Sequence, residues 1–262
     1  MILNAIAEKL KRKSKDDFKG RQFEAWLIIQ AVSWYLRYPL SYRDLEEMFL
    51  ERGFKVDHST INRWVLAYAP LIEKRLRRFR KPHCGSSRID ETYIKVRGVW
   101  KYLYRAIDKH GNPVDFLLTA KRDLGAAKRF FNKMLKEEPL LSPGKIGTDS
   151  ANTFPSTIKQ SVDKGHLRPD PVHYVTKHLQ QRIESDHFRV KKNMPKVGGF
   201  QSFHTARRII AGFEAMLWLK KGFDFAGQWT VREQNDLIAL LFGLQKKLTK
   251  DGNDADHSTN RA

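Results

Sequence analysis

The stretch RIDETYIKVRGVWKYLYRAIDKHGNPVDFLLTA, residues 88 to 120, contains three segments in which β-branched and aromatic residues alternate with polar ones. A period of two residues is typical of strands. Arg97-Gly98 and the segment DKHGNP supply turn residues between the three segments. The sequence therefore predicts three consecutive antiparallel strands.

The residues that follow alternate between helical and extended patterns. DLGAAKRFFNKMLKEE (123–138) predicts an amphipathic helix with Asp123 as its N-cap, and a long helix is expected from about Gln180. Between them lie a short strand, GKIGTDS (144–150), a partly helical segment, NTFPSTIKQSV (152–162), and a fifth strand, PVHYVT (171–176). This is the chain order of the ribonuclease-H-like fold, so the predicted class is α/β (α+β) with a mixed five-stranded sheet.

The N-terminal part of the chain shows helical periodicity instead. Residues 1 to about 19 are polar and lysine-rich, and we expect them to fray. From Gln22 the apolar residues follow a helical period that stops at Tyr38-Pro39. SYRDLEEMFLERG (41–53) then begins with Ser41 and Asp44 in the spacing of a helix start. STINRWVLAYAPLIEKRLRRFRK (59–81) predicts a further helix.

The last two of these helices suggest a helix-turn-helix over residues 41 to 76. The second helix begins with polar and basic residues that are free to point outward: Thr60, Asn62 and Arg63. Such a pair places its second helix on DNA, although an ordinary helical hairpin shares the pattern. We expect base contacts from Asn62 and Arg63. Phosphate contacts are expected from the basic run that follows, which includes Arg75, Arg77 and Arg78.

Three regions follow from this division. Residues 1–82 form the N-terminal helical region, residues 86–222 the ribonuclease-H-like domain, and residues 223–262 a C-terminal helix with a disordered tail.

The composition narrows the class of partner. The chain has 262 residues, a formal net charge of +20 and a pI near 10. Such an excess of cations favours a polyanion, above all nucleic acid. No apolar run approaches the roughly 20 residues that span a bilayer, and no signal peptide is recognisable, so a cytoplasmic protein without a membrane partner is expected. The single cysteine, Cys84, excludes an internal disulfide framework.

Three acids lie where the predicted fold brings its elements together. Asp90 lies inside the first strand, Asp149 follows the fourth strand, and Glu184 lies in the first turns of the last helix. Cleaving a phosphodiester requires an activated oxygen nucleophile and neutralisation of developing charge. Two divalent cations about 4 Å apart meet these needs, and hard cations prefer carboxylate oxygens.

Each acid also has a structural explanation. Asp90 could pair with Arg88, Asp149 could cap the next helix, and Glu184 could pair with Arg182 or Lys191. The order of the three acids along the chain favours a common site over three separate ion pairs.

The segments that carry these acids resemble a known family. IDETYIKVRGVWKYLYRAID, DFLL, RDLGAAKRFF, TDSAN, IESDHFRVKK and GGFQSF are similar to the DDE transposases of bacterial insertion sequences, and most similar to the insertion sequence six family. The resemblance extends from YPLSYRDLEEMF (38–49) to about Trp218. It is most specific around Asp90 and Glu184.

The resemblance implies a function. Asp90, Asp149 and Glu184 would be the catalytic triad and the ligands of two Mg²⁺ (or Mn²⁺) ions, and Lys191 the basic residue two helical turns after the glutamate. The enzyme would bind the inverted-repeat ends of its element, cleave them and join them to target DNA. Replicative transposition with cointegrate formation is implied, as are double-stranded DNA as partner, an assembly of at least two copies and a bacterial cytoplasmic location.

Helix geometry gives an independent expectation for the last segment. Positions i, i+3 and i+7 share a face, so Glu184, His187 and Lys191 form one stripe. His187 could orient water or phosphate at the DNA, or could be a structural hydrogen-bonding residue. Asp186 lies about 200° around the helix from Glu184 and is a structural candidate. Glu91 is expected on the strand face opposite to Asp90.

Two other functions share these features. One is a DNA-binding regulator whose catalytic fold is inert, and the other is a ribonuclease-H-like nuclease. An intact triad disfavours the regulator, and the helix-turn-helix disfavours the nuclease.

Overall fold

The computed structural model describes residues 14, 16–79, 85–137, 143–149, 153–175, 181–195, 199–222 and 230–244. The predicted disordered tail lies outside these residues. Within the described ranges, no helix is long and apolar enough to cross a membrane.

From Asp16 to Phe79, the described part of the N-terminal region contains three named α-helices. They are α1 (Ala25–Arg37), α2 (Tyr42–Leu50) and α3 (His58–Leu76), and a 3₁₀ turn, Arg77–Phe79, follows them. Helix α1 ends at Tyr38 as predicted. The predicted start of α2 is confirmed, because Ser41 and Asp44 form a reciprocal capping box. The four apolar residues predicted to face inward from α3 are buried: Ile61, Trp64, Val65 and Tyr68.

The expectation that residues up to 19 fray is wrong for Asp17 and Phe18. The ring of Phe18 stacks on Tyr68 at 5.1 Å between centroids. The Tyr68 hydroxyl donates to the Asp17 carbonyl at 2.8 Å, and the Asp17 carboxylate lies 2.7 Å from Arg75 Nη1. These partners are at least 50 residues apart in sequence, so local periodicity could not indicate them.

A mixed five-stranded sheet forms the centre of the rest of the chain. Its strands are β1 (Ser86–Val96), β2 (Val99–Asp108), β3 (Pro113–Thr119), β4 (Lys145–Thr148) and β5 (Val172–Val175). The order is β3-β2-β1-β4-β5. The first three strands are antiparallel, whereas β4 runs parallel to β1 and β5. This arrangement confirms the predicted ribonuclease-H-like class.

The turn between β1 and β2 fixes the register of this sheet. Arg97 and Gly98 both have positive φ, 51° and 75°. Two successive residues of this kind form the tight hairpin turn whose twist matches that of the strands. The turn pairs Val96 with Val99, and the register then places Arg105 opposite Asp90.

Five more helices pack around the sheet or extend the helical region. They are α4 (Leu124–Glu137), α5 (Thr153–Asp163), α6 (Gln181–Lys191), α7 (Phe203–Lys221) and α8 (Val231–Leu241). Asp123 accepts from the Ala126 amide at 2.7 Å, as predicted for the start of α4. Helix α8 lies in the C-terminal region where a helix was expected.

The predicted long helix from Gln180 is wrong in its length, because α6 ends at Lys191. Pro195 follows closely, and proline cannot continue a helix. Gly199 has a positive φ of 73° and leads into Phe200, which forms a parallel bridge with Val96. The chain therefore returns to the end of β1 before α7 begins.

The two faces of the sheet bury different cores. On one face, residues such as Ile89 and Tyr104 pack with α4 and α5. On the other face, residues such as Ile94 and Leu103 share one core with α6, α7 and the N-terminal helices. Helix α7 packs against both α3 and the sheet. The predicted helical and ribonuclease-H-like regions thus meet in a continuous core.

The close contact of α7 with the helical region depends on Gly212. A Cβ at this position lies 2.6 Å from Leu36 Cδ2 and 2.8 Å from Ala69 Cβ, which is well inside van der Waals distance. Leu36 is 1% exposed and Ala69 is fully buried, so neither has space to move.

Substituting Gly212→Ala tests this contact. Alanine normally favours a helix by roughly 0.5–1 kcal/mol over glycine. Here overpacking should dominate and lower the free energy of unfolding by about 1–3 kcal/mol, measured by urea denaturation. Gly85→Ala is the control, because nothing lies within 4 Å of a Cβ there. A stabilised G212A protein would contradict the packing of α7 against α1 and α3.

Candidate active site

The register of β1 and β4 places Asp90 beside Asp149. The two strands are parallel, and Arg88 is paired with Gly147. Two further residues along each strand lead to Asp90 and Asp149, and adjacent strands are about 4.8 Å apart. The Asp90 side chain is 15% exposed and that of Asp149 is 33% exposed. Both carboxylates therefore lie at the end of β4, partly open to solvent.

Helix α6 places Glu184 at the same end of the sheet. The helix packs against β1 and β2. Ile183, Asp186, His187 and Val190 are buried, whereas Glu184 and Lys191 are exposed. The inward-facing His187 lies with its Nδ1 3.7 Å from Asp90 Oδ2, so the helix lies beside the strand that carries the first acid.

The electrostatics of Asp90 show that the three acids share one environment. Burial raises the pKa of Asp90 to about 7. Burial is the largest cause, and the value of about 7 already includes the negative charges of Asp149, Glu91 and Glu184, which raise this pKa, and a hydrogen bond from the Glu91 amide, which lowers it. The structure therefore brings the three predicted acids close enough for their charges to interact.

Lys191 is close enough to the candidate site to interact electrostatically with Asp90. Partial burial lowers the pKa of Lys191, and the charge of Asp90 raises it. Its exposed position on the same helix as Glu184 leaves the ammonium group accessible to a phosphate.

His187 is more buried than the sequence suggested. Only 7% of the residue is exposed. Burial lowers the pKa of His187 to about 3, and the charges of Arg105 and Lys191 lower it as well. A neutral imidazole below the surface fits an orienting role toward Asp90 better than direct contact with duplex DNA.

Asp186 belongs to a buried charge cluster that the sequence did not reveal. Arg105 is 1% exposed and donates to both carboxylate oxygens of Glu214, at 2.6 and 3.0 Å. Asp186 lies 4.0 Å from Arg105 and is ion-paired with Lys221. The cluster, two cations and two anions, joins β2, α6 and α7. One signal was available, since Glu214 interrupts the apolar run AGFEAMLWL.

Glu91 points away from Asp90, as alternation along the strand predicts. Its carboxylate is ion-paired with Arg122, on the loop between β3 and α4. Arg122 Nη2 also lies 3.7 Å from Asp149 Oδ2. Arg122 thus contacts both Asp149 and Glu91, and Glu91 lies on the face of the sheet opposite to Asp90.

The predicted base-contacting residues lie at the start of α3. Arg63 is exposed and donates to the Thr60 hydroxyl at 2.8 Å, and Asn62 is half-buried. The connection from α2 to α3 comprises residues 51–57, including Gly53 with a positive φ of 78°.

The basic residues in the last turn of α3 and directly after it are not equivalent. Arg75 is ion-paired with Asp17 and lies over the Phe242 ring at 4.5 Å. Arg77 is ion-paired with Glu73, at 2.6 Å. Both are held by contacts within the protein, whereas Arg78 is exposed. The expectation of phosphate contact from Arg75 and Arg77 therefore loses its structural support, and Arg78 keeps it.

One small cluster elsewhere has ligand-type atoms within 4.8 Å of one another. Among the described residues, Glu46, Asp57 and His58 are the group of three with this spacing. His58 Nδ1 is 2.9 Å from Glu46 Oε2, and Asp57 caps α3 by accepting from the Ser59 amide. A helix N-terminus disfavours a cation, so a helix cap and an ion pair explain the cluster. The three acids of the candidate site are more widely spaced than this.

The wider spacing suits a two-ion centre. Ions about 4 Å apart, each about 2.1 Å from its oxygen ligands, are held by carboxylates that need not all touch. The donor set consists of carboxylates, which hard divalent cations prefer. Burial first, and then the nearby negative charges, raise the pKa of Asp90, and bound cations would offset both effects. These residues fit a magnesium or manganese pair.

Comparison with known proteins adds independent evidence. A family model described as a DDE domain matches residues 85–223, which include all three acids. The transposase for insertion sequence-like element IS431mec of Staphylococcus aureus is 39% identical over 204 residues, covering 78% of this chain and 88% of that protein. The transposase for insertion sequence element IS257 in transposon Tn4003, also of Staphylococcus aureus, is 38% identical over the same shares. An uncharacterized protein of Yersinia pseudotuberculosis, pYV0051, is 36% identical over 92 residues, 34% of this chain and 86% of that protein.

The buried charge cluster makes a prediction about stability. Replacing Glu214→Leu leaves Arg105 without its bidentate partner and should lower the free energy of unfolding by about 3–5 kcal/mol. The double variant Arg105→Met with Glu214→Leu keeps the remaining charges balanced and should recover most of this loss. Urea denaturation of the two single variants and the double variant measures the coupling. Additive losses would show that the pair does not act as a unit.

Proposed function

Because the chain belongs to the DDE transposase family of IS240-type insertion sequences, we propose that it moves its own element by cleaving the inverted-repeat ends and joining them to target DNA. The chain is thus a DNA-cleaving and DNA-joining enzyme. The outcome we propose is replicative, with donor and target joined in a cointegrate. Two element ends must be held at once, so the active form is an assembly of at least two copies.

The observation that carries this proposal is the meeting of Asp90, Asp149 and Glu184. Asp90 lies inside β1, Asp149 follows β4 and Glu184 lies on α6, which packs against β1 and β2. Burial is the main cause of the raised pKa of Asp90, and the charges of Asp149 and Glu184 contribute to it, which supports a common site over three separate ion pairs.

The three carboxylates are the residues that would hold two divalent cations, Mg²⁺ or Mn²⁺. When bound, these cations supply positive charge that activates an attacking hydroxyl and offsets charge on the phosphate. The protein's own task is to position the DNA. Lys191, exposed on the helix that carries Glu184, would bind a phosphate next to the scissile bond. His187 would orient the Asp90 carboxylate from below, at 3.7 Å.

We propose that the helix-turn-helix recognises the element ends. Arg63 and Asn62 at the start of α3 would contact base edges, with Thr60 fixing the Arg63 side chain through its hydroxyl. Exposed Arg78 would bind a phosphate and contribute affinity without sequence preference. The net charge of +20 supports attraction to DNA along the rest of the surface.

Two variants test the catalytic assignment. Asp90→Asn and Glu184→Gln should each reduce strand cleavage and joining by on the order of 10³-fold or more, because several kcal/mol of charge stabilisation are lost. The assay follows joining of a fragment that carries the DNA bordering the gene, with Mg²⁺ present. Asp170→Asn, an exposed acid before β5, is the control and should retain full activity.

The same assay separates the rival functions. Wild-type protein that binds the fragment but leaves both strands intact in Mg²⁺ would identify an inert regulator. Wild-type protein that cuts without joining would identify a nuclease. Folded E184Q protein that joins DNA at the wild-type rate would remove Glu184 from the triad.

A pair of arginine variants tests the division between base and phosphate contacts. Arg63→Ala should weaken binding to the bordering sequence by about 1–3 kcal/mol and leave binding to a scrambled duplex nearly unchanged. Arg78→Ala should weaken both equally and reduce the slope of log affinity against log salt by about 1. Fluorescence anisotropy over a salt series measures both. An equal loss on both duplexes for R63A would exclude it from base recognition.

A further inference from the structure

The β1–β2 hairpin extends well beyond the neighbouring strand β4. The pairing of β1 with β4 ends at Arg88, whereas the pairing of β1 with β2 continues to the turn at Val96 and Val99. From Asp90 to Val96 the hairpin therefore reaches roughly 20 Å past the acids, at about 3.4 Å per residue.

One face of the extension carries exposed aromatic and cationic side chains. Tyr93 is 42% exposed and Trp100 is 54% exposed. The register places Tyr93 opposite Tyr102 and Lys95 opposite Trp100, so the four side chains share this face. We call them the hairpin surface. Further along the same face, Tyr104 is fully buried in the core beneath α4 and α5.

The side chains of the hairpin surface contact one another. The Tyr93 ring lies 5.3 Å from Tyr102 and 6.4 Å from Trp100, edge to face in both cases. Lys95 Nζ lies 4.9 Å from the centre of the Trp100 ring. The aromatic faces and an ammonium group thus form one patch with positive charge.

The hairpin surface is continuous with the candidate active site. Arg122 Nη1 donates to the Tyr93 hydroxyl at 3.5 Å, and Nη2 of the same side chain lies 3.7 Å from Asp149 Oδ2. A single arginine therefore joins the patch to the second acid. The patch lies on the face of the sheet opposite to Asp90, and Arg122 links that face to Asp149 at the end of β4.

We propose that the hairpin surface binds unpaired DNA that leads away from the acids around the end of β4, by stacking of bases on Trp100 and Tyr93 with Lys95 at the backbone. The inference rests on the proposed function, and it names the part of the substrate that this surface takes. Aromatic rings interleaved with cations are the means by which proteins hold single-stranded nucleic acid. Cutting and joining strands at the acids creates unpaired nucleotides there.

A second copy of the chain fits the hairpin surface less well. A two-fold contact brings a patch against itself, so the Lys95 and Arg122 side chains would meet like charges. DNA has the complementary charge, and the net charge of the chain is +20.

The test compares two DNA probes with the same bordering sequence. One is fully duplex, and the other carries a single-stranded extension at the cleavage point. Binding is measured by anisotropy in EDTA, so that no strand is cut. Trp100→Ala should weaken binding to the extended probe by roughly 5- to 100-fold, the range for one stacked base, and change binding to the duplex by less than about 2-fold.

Matched variants separate stacking from folding. Trp100→Phe keeps an aromatic face and should bind the extended probe within about 3-fold of wild type. Tyr174→Ala removes an aromatic of similar exposure, 37%, from strand β5 and should bind both probes normally. Lys95→Ala should lower the salt slope on the extended probe by about 0.7.

Two outcomes overturn the inference. The first is equal binding of the wild type and W100A to the extended probe. If the wild-type protein still joins DNA strands, the proposed transposition function stands and only the role of the hairpin surface is wrong. The second is conversion of dimers to monomers by W100A with unchanged binding to the extended probe, which assigns the hairpin surface to contact between copies. A third outcome separates the two proposals. If W100A loses binding to the extended probe and the wild-type protein never cuts DNA, the hairpin surface binds unpaired DNA but the proposed transposition reaction is wrong.

Discussion

The buried charge cluster centred on Arg105 is the constraint on which the catalytic end of the molecule depends. Arg105 lies opposite Asp90 in the β1–β2 register, binds Glu214 on α7 and lies near Asp186 on α6. Lys221 completes the cluster by pairing with Asp186. An arginine inside a sheet is costly unless its charge is matched, so the cluster admits one arrangement of these elements. The position of α6, and with it Glu184, follows from that arrangement.

The cluster also explains how acids and cations coexist at the site. Asp186 and Glu184 are two residues apart on one helix, yet their surroundings differ. Asp186 is 2% exposed and matched by cations, so it holds the helix in place. Glu184 is exposed at the sheet end, where its charge reaches Asp90. The helix turns Asp186 inward, where it stabilises the packing of α6, and Glu184 outward, where its carboxylate is available as a ligand.

Most of the fold could be predicted from the sequence because its signals are local. The period of two in residues 88–120, the Arg97-Gly98 turn and the Ser41-Asp44 capping box each depend on residues close in the chain. The missed features depend on distant partners. Asp17 meets Arg75 across 58 residues, and Arg105 meets Glu214 across 109. The assignment of the three acids stays a prediction that rests on their order and on family resemblance, whereas the burial of His187 depends on how α6 packs.

Burying Asp90 near other acids costs folding free energy, and interactions elsewhere in the fold must offset that cost. Burial and three neighbouring acids raise the pKa of Asp90 to about 7, which means that its charged form is disfavoured in the folded protein. Arg105 and Lys191 supply positive charge nearby without binding the carboxylate directly. Direct pairing would satisfy Asp90 but occupy the oxygens that a cation needs. Placing the compensating charges one layer away keeps the fold stable and leaves the carboxylate available, which is the arrangement expected of an acid retained for chemistry.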